Sequence, residues 1–479
     1  MVRENASAAG LLAALRYEGT PGLWHWMLWC LGRVAPLTPG TACLLYSAVL
    51  LALLGVILFW LPAPFWARCA LLLQVPLFWY ADNVRQYALA ALLLLGWGCL
   101  RSGRIPRSPW MEAACVALIG QTSLHGLLAM LCIGLFEILQ PGGPGFRRRA
   151  IFLGGLVLSL GLALLQLWPP ADLMPGLAAW NPAGKTFLGS AEGVLWDACF
   201  GDSLLVPAVI VAAGLVLWPR ERREVPWVLG MVAALLLCLG LFAVVAWLKY
   251  AYARHHWTLS FLMVAFLCIA AGVPGRPSRW RRVARIGWPC LAVISAIIAF
   301  RSLPAHWSTP KSSGRDLAAY LDREYPDSPV LAMSEEFEAA ARVYRKHPVP
   351  VYALGRQAFV GWTVWNHPSV DYRAHPESHR ILISRVIAAT AAAPPPILAR
   401  RPVVVVSGTE VLWDVSVPAE SIPVGDAHRM RLLRHFRGSA WEDFSVFALE
   451  ISPRRDDAAV QSPPASAVAP ASSQSDSSR

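Results

Sequence analysis

The run GTACLLYSAVLLALLGVILFWL, Gly40 to Leu61, carries no charged residue across 22 positions. The hydrocarbon core of a bilayer takes about 20 helical residues, so this stretch predicts a membrane-spanning helix. The whole chain agrees with it. Of 479 residues, 56% are hydrophobic and 15% charged, with mean hydropathy +0.47, where soluble domains carry about 25% charge. The composition predicts an all-α polytopic membrane protein, and the apolar runs confine it to residues 40–300.

Ahead of Gly40 stands RYEGTPGLWHWMLW, Arg16 to Trp29. Pro21 sits where a helix can begin at no cost in hydrogen bonds. Trp24, Trp26 and Trp29 suit a water–hydrocarbon boundary, where the indole N–H stays wet. We read a polar, catalytic-type loop at Arg16–Glu18 running into a helix that lies at a membrane surface; an ordinary helix entry is the simpler alternative. Residues 1–39 thus form an external loop remnant and a juxtamembrane helix.

Beyond Leu61, spans are expected at about 66–80 (broken by Pro76), 86–100, 150–168, 204–218, 226–247, 258–273 and 286–300. Residues 110–139 break at Gln121, Thr122, Ser123 and His125 and predict two short spans turning there, for about ten spans in all. A loop of about 35 residues follows the span ending near 168. Arginine clusters at 101–107, 147–149, 220–223 and 276–285 recur after every second span. The excess of Lys and Arg in short loops marks the cytoplasmic side. One orientation satisfies all four clusters, and it gathers the unusual polar groups on the opposite face.

The charge distribution separates two regions. Residues 1–300 carry 22 Lys/Arg against 11 Asp/Glu, while residues 301–479 carry 20 against 19. The +12 net charge therefore reports topology and not nucleic-acid binding. All ten cysteines precede residue 300, so no disulfide framework is available to the C-terminal part and no CxxC pair suggests a metal. Residues 301–452 predict a small external α/β domain: PVLAM (329–333), VPVYA (349–353) and PVVVVS (402–407) are strand-like, with helical patterns at about 315–324, 336–346 and 377–393. Residues 453–479, rich in Ala, Pro, Ser and Asp, predict a disordered tail.

Three groups carry chemistry. Asp82 and Arg85 stand at a span boundary, where a charge faces a cavity or the interface. They form either a local (i, i+3) ion pair or, with Tyr80 and Tyr87 alongside, an anion site in which the Arg85 fork holds phosphate oxygens. Lys249, Tyr250, Arg254, His255 and His256 lie on the same face. They read as an interfacial anchor or as a second phosphate-binding group on a face otherwise poor in cations. His125 reads as a buried, hydrogen-bonded histidine or a cavity residue.

Taken in order, these motifs resemble one family. WYADNVRQYALAALLLL (79–95) resembles the tyrosine–arginine–tyrosine motif that opens a transmembrane helix in GT-C glycosyltransferases using polyprenyl-phosphate sugars. That group includes the dolichyl-phosphate-mannose–protein mannosyltransferases and the aminoarabinose transferases of lipid A. RYEGTPGLWHWMLW is similar to the end of their first external loop, and YARHHW (252–257) to a basic motif before a late span. The likeness covers residues 10–300.

It implies inverting transfer of a sugar from a polyprenyl-phosphate donor to an acceptor on the non-cytoplasmic face, in a multi-pass protein of the bacterial inner membrane. Arg85, Lys249, Arg254 and His255 would hold the donor phosphate. Glu18 would be the catalytic acid–base candidate. Arg16, Tyr17, Tyr80, Asp82, Tyr87, His125 and Tyr250 would line the cavity. The partners are the lipid-linked donor and membrane lipids. No cofactor is assigned, and a divalent cation is compatible.

One departure from the family pattern matters. The family places an acidic pair after its first helix, and no adjacent acidic pair precedes residue 335 here. Met1 to Leu15 has neither a signal core nor an apolar run to carry Arg16–Glu18 across a membrane. The expectation is an upstream span followed by an Asp-Glu pair. A non-catalytic lipid-phosphate binder is the second reading. A transporter, which would favour inverted repeats, is the third.

Overall fold

The computed structural model describes residues 7–18, 21–72, 77, 86–106, 108–139, 145–168, 186–198, 225–248, 253–272, 287–289, 293, 296–297, 300, 313–332, 344–346, 351–353, 358–360, 403–407, 421–424, 428–437 and 444–451. The described residues are mostly helical, with one small sheet. The expected spans at 204–218 and, largely, at 286–300 lie outside them, as do the helical patterns at 377–393 and, largely, at 336–346, and the tail at 453–479.

In chain order the first helices are α1 (Ala8–Glu18), α2 (Leu23–Val34), α3 (Pro39–Gly55) and α4 (Phe65–Leu72). Thr38 starts α3 with a reciprocal cap. Its hydroxyl accepts from the Thr41 N–H at 3.1 Å, and its own N–H donates to the Thr41 hydroxyl at 2.8 Å, so two N-terminal donors are satisfied at once. Pro39 follows at a position where its missing N–H costs nothing. A π-helical turn, Val56–Trp60, continues α3. In α2, the buried Trp24 ring meets Tyr46 of α3 edge-on at 5.7 Å, and the Arg33 guanidinium lies 4.4 Å from the Trp29 ring.

Then come α5 (Tyr87–Arg101), α6 (Pro109–Gly120), α7 (Leu124–Ile138), α8 (Phe146–Leu167), α9 (Phe187–Ala198), α10 (Val225–Leu248) and α11 (Ala253–Gly272). Three helical stretches, Gly40–Trp60, Phe146–Leu167 and Leu229–Leu248, are long and apolar enough to cross a membrane. Four more apolar helices are shorter: Tyr87–Arg101, Pro109–Gly120, Leu124–Ile138 and His256–Ile269. Among the described residues three stretches reach spanning length, against about ten expected spans, of which the two at 110–139 were expected to be short. At 1.5 Å per residue, the 12 residues of α6 and the 15 of α7 reach only about 18 and 22 Å. The polar break at Gln121–Ser123 does turn the chain, as expected. A second difference is α9, which occupies part of the stretch read as a loop after residue 168. It buries Val194 and places Phe187 against Trp247 of α10.

The helix directions follow from ring contacts. Trp97 of α5, Phe136 of α7 and Phe266 of α11 meet mutually, with centroids 4.9–6.2 Å apart. His125 of α7 and His256 of α11 meet again near the helix starts, centroids 6.2 Å apart. Near the other end Gly98 abuts α11, where an added Cβ would stand 2.9 Å from the Ala265 Cα. Helices α7 and α11 therefore run parallel, and α5, whose Leu93 carbonyl accepts from the Cys115 thiol of the oppositely directed α6 at 3.2 Å, runs the same way. Small residues at such contacts let backbones approach closely, which is how helices associate in lipid.

The C-terminal part holds α12 (Gly314–Glu324) and β1 (Val330–Ala332), β2 (Val351–Ala353), β3 (Ala358–Val360), β4 (Val403–Ser407), β5 (Ser421–Val424), β6 (His428–Phe436) and β7 (Phe444–Ile451). They form one sheet in the order β3-β2-β1-β4-β7-β6-β5, with β1 parallel to both β2 and β4 and the outer pairs antiparallel. The three expected strands are β1, β2 and β4. Leu317, Ala318 and Leu321 of α12, at helical spacing, pack on Val330, Val403, Val405 and Val446. All three β1 residues are buried, as suits a strand with both faces covered.

Candidate functional site

The two ends of the helix bundle are built differently. At one end Arg101, the last residue of α5, pairs with Glu137 at the end of α7 at 2.6 Å, and each side chain is only 8% exposed. Arg148, in the first turn of α8, pairs with Glu112 in the first turn of α6. One arginine from each of the first two clusters is thus tied to a carboxylate that α6 or α7 supplies.

The opposite end is held by neutral hydrogen bonds. Gln121 closes α6, and its amide donates to the Ser159 carbonyl at 2.6 Å and to the Ser159 hydroxyl at 3.0 Å. The Ser159 hydroxyl donates to the Ala117 carbonyl at 2.7 Å. Gln166 of α8 donates to the Gln121 side-chain oxygen at 3.0 Å and accepts from the Gly22 N–H at 2.5 Å. The Leu23 N–H donates to the Gln121 carbonyl at 2.9 Å. Six residues from three parts of the chain form one connected network, with Gln121, Ser159 and Gln166 all buried.

Helix length explains the arrangement. Both α6 and α8 start at the ion-paired end, but α6 has 12 residues and α8 has 22. The α6–α7 turn therefore meets α8 at Ser159 and leaves the last two turns of α8 standing above it. Residues 21–23 and α1 fill that step. Leu11 and Leu15 of α1 are fully buried, and the Arg16 Nε donates to the Trp168 carbonyl at 2.9 Å, at the end of α8. Gly22 fits where a Cβ would lie 2.3 Å from a Leu15 methyl and 3.0 Å from the Gln166 oxygen.

The starts of the three parallel helices lie at this end of the bundle. Tyr87 opens α5 and is buried. Ser123 caps α7, accepting from the Gly126 N–H at 2.9 Å. His125 in the first turn is 5% exposed, with its ring edge-on to Phe242 at 4.6 Å. His256, in the first turn of α11, is 3% exposed, and Thr258 and Ser260 beside it are buried too. Helix N-termini present unpaired N–H groups and partial positive charge, and three of them point the same way here.

The predicted site residues divide as follows. Tyr87, His125 and the Arg16 side chain are placed at this end of the bundle. Tyr17 and Glu18 lie in the last turn of α1, with their side chains outside the described set. This corrects the reading of Arg16–Glu18 as an open loop: apolar spacing at Leu11 and Leu15 continues a helix through them against α8. Arg254 and His255 belong to the first turn of α11, again without described side chains. Tyr80, Asp82, Arg85, Lys249 and Tyr250 lie outside the described residues.

Sequence reading passed over Ser159 and Gln166, although polar residues seven apart in an apolar run mark one helix face. His256, named in the basic group but not among the phosphate-holding residues, is a histidine whose ring the structure places beside His125. Among the described residues no group of three or more His, Cys, Asp or Glu could hold a metal ion. Comparisons with known protein families, curated proteins and solved structures find no match to this chain.

Proposed function

We propose that the protein is a membrane-embedded glycosyltransferase that moves a sugar from a polyprenyl-phosphate donor to an acceptor. Transfer would take place at the face away from the arginine clusters, in a GT-C-like core with the α/β domain on that same side. The observation that carries this reading is the meeting of His125 and His256 in the first turns of two parallel helices, with the start of a third, at Tyr87, at the same end of the bundle. Phosphate is favoured at helix N-termini by dipole and N–H groups together. In the sequence Arg85 precedes Tyr87 by two residues, and Arg254 and His255 directly precede His256, which adds cations suited to charge-assisted phosphate contacts.

In the proposed reaction an acceptor hydroxyl attacks the anomeric carbon of the donor sugar. The bond from that carbon to the phosphate oxygen breaks, and its electron pair stays on the lipid phosphate. Arg85, Lys249, Arg254 and His255 stabilise that leaving charge. A carboxylate takes the hydroxyl proton, and Glu18 is the candidate on this chain, four residues before Gly22.

Replacing Arg85 with Ala is expected to weaken polyprenyl-phosphate binding roughly 10–150-fold, the value of one charge-assisted contact, while leaving the melting temperature near the parent's. Equal losses of stability in Arg85→Ala and Asp82→Ala, with lipid affinity retained, would instead identify a local ion pair. The second reading, a non-catalytic lipid-phosphate binder, draws support from the helical setting of Arg16–Glu18 and the engagement of Arg16 with Trp168. Glu18→Gln separates the two: transfer should fall with unchanged lipid affinity in the enzyme, and a binder should show no transfer before or after the change.

A further inference from the structure

A second, separate feature lies on the α/β part. Arg315, Ala319, Asp322 and Arg323 occupy one face of α12 and, with Tyr344 and Lys346, line a cleft of about 590 Å³. That volume falls in the range of small-molecule sites, about 300–1,000 Å³.

The cleft has a built wall. Asp322 accepts from the Arg345 Nε at 3.0 Å through one carboxylate oxygen and from the Lys346 N–H at 2.8 Å through the other. The Arg345 and Asp322 side chains are 5% and 11% exposed, and Arg345 also reaches the Pro326 carbonyl at 3.4 Å. This clamp fixes the 344–346 segment against α12. It also commits Asp322, the carboxylate among the described lining residues, to holding the wall. Arg323 pairs with Glu324 at 2.7 Å. Among the described residues, neither Arg315 nor the Lys346 ammonium is in an ion pair. Arg315, Lys346 and Tyr344 therefore line one concavity whose acid is already engaged, and a concave cationic wall concentrates field on an anion.

We propose that this cleft binds the phosphate group of a small ligand, with Arg315 and Lys346 as the charged contacts and Tyr344 as a neutral donor. Arg315 offers a planar fork for phosphate oxygens and Lys346 a point charge. The ligand is a free phosphate ester or diphosphate, or the headgroup of a phospholipid, since the recognised chemistry is the same.

The test is a calorimetric titration of the full chain in neutral detergent with inorganic pyrophosphate, run beside flotation with vesicles containing phosphatidic acid. Both are repeated on the Arg85→Ala background, so that binding at the proposed donor site is read separately. Saturable binding is expected on both backgrounds, weakened about tenfold or more by Arg315→Gln and by Lys346→Gln, and unchanged by Arg33→Gln. Thermal unfolding checks that each variant keeps the parent's fold, and Arg315→Lys, which retains the charge, should recover part of the affinity. Dependence on Arg315 and Lys346 in the vesicle arm alone assigns the phosphate to a lipid headgroup. Equal behaviour of parent and both Gln variants in both arms overturns the proposal.

Discussion

Gln166→Leu is the most informative single change in the bundle. The two side chains are similar in volume, so packing is nearly conserved while hydrogen bonding is lost. Two groups lose their partner: the Gly22 N–H, held at 2.5 Å, and the Gln121 side-chain oxygen, held at 3.0 Å. A buried polar group left unsatisfied costs about 1–3 kcal/mol, which gives roughly 2–6 kcal/mol for two. Hydrogen bonds inside membrane proteins average nearer 0.6 kcal/mol because the alternative state also finds partners, which sets a floor of about 1 kcal/mol. A loss near 3 kcal/mol is expected in detergent unfolding. Backbone amide exchange of the peptide containing Gly22 and Leu23 should rise, because the segment that fills the step loses one of its two backbone anchors. Gln121→Leu should cost a similar amount, and the double variant should cost clearly less than the two singles added, since both act on one network. Strict additivity, or unchanged exchange at residues 21–23, would refute the claim that this network seats the segment.

Two further outcomes are expected from the ion pairs. Glu137→Gln removes the carboxylate that Arg101 meets at 2.6 Å with both side chains 8% exposed; breaking a buried pair from one side costs about 3–5 kcal/mol, whereas the paired change Arg101→Met with Glu137→Leu should recover most of that stability. In the sheet, hydrogen bonds from Arg431 and then Arg429 hold the Glu450 carboxyl below its usual range. A depressed carboxyl contributes stability that is present above its unfolded value, near pH 4.3, and lost as pH falls through the lower folded value. Acid unfolding of the sheet followed by circular dichroism should therefore shift to higher pH in Glu450→Gln, and salt should narrow the difference because the pair is exposed.

How much of this was legible in the sequence depended on which force set each feature. The strands β1, β2 and β4 were readable because runs such as Val403 to Val405 have one dominant demand, burial on both faces. The turn at Gln121–Ser123 was readable because polar residues interrupt an apolar run. Helix α1 was not, since Leu11 and Leu15 are two ordinary apolar residues whose role appears only when the end of α8 stands beside them. Gln166 and Ser159 were missed for a related reason: their importance comes from α6 being shorter than α8, a difference of length between two helices and not a property of either one. That His256 meets His125 depends on helical phase in α11, which a cluster of adjacent basic residues does not reveal.

The contrast between the two ends bears on how a charged ligand is accommodated. At the ion-paired end Arg101 and Arg148 are each matched by a carboxylate from a neighbouring helix, so formal charges close locally and a further anion would disturb pairs already made. At the Tyr87, His125 and His256 end the network is neutral: amide, hydroxyl and backbone groups join Gly22, Gln121, Ser159 and Gln166 without a carboxylate among them. Three helix N-termini add partial positive charge there. A phosphate arriving at this end meets donors and dipoles, and displaces no ion pair of the described bundle. The same asymmetry divides the labour of stability: ion pairs fix the helix ends that have only to stay together, and exchangeable neutral hydrogen bonds seat residues 21–23 beside the end where a ligand would bind. Separate effects of Glu137→Gln and Gln166→Leu, adding within about 0.5 kcal/mol because the sites are distant and share no partner, are what this division requires.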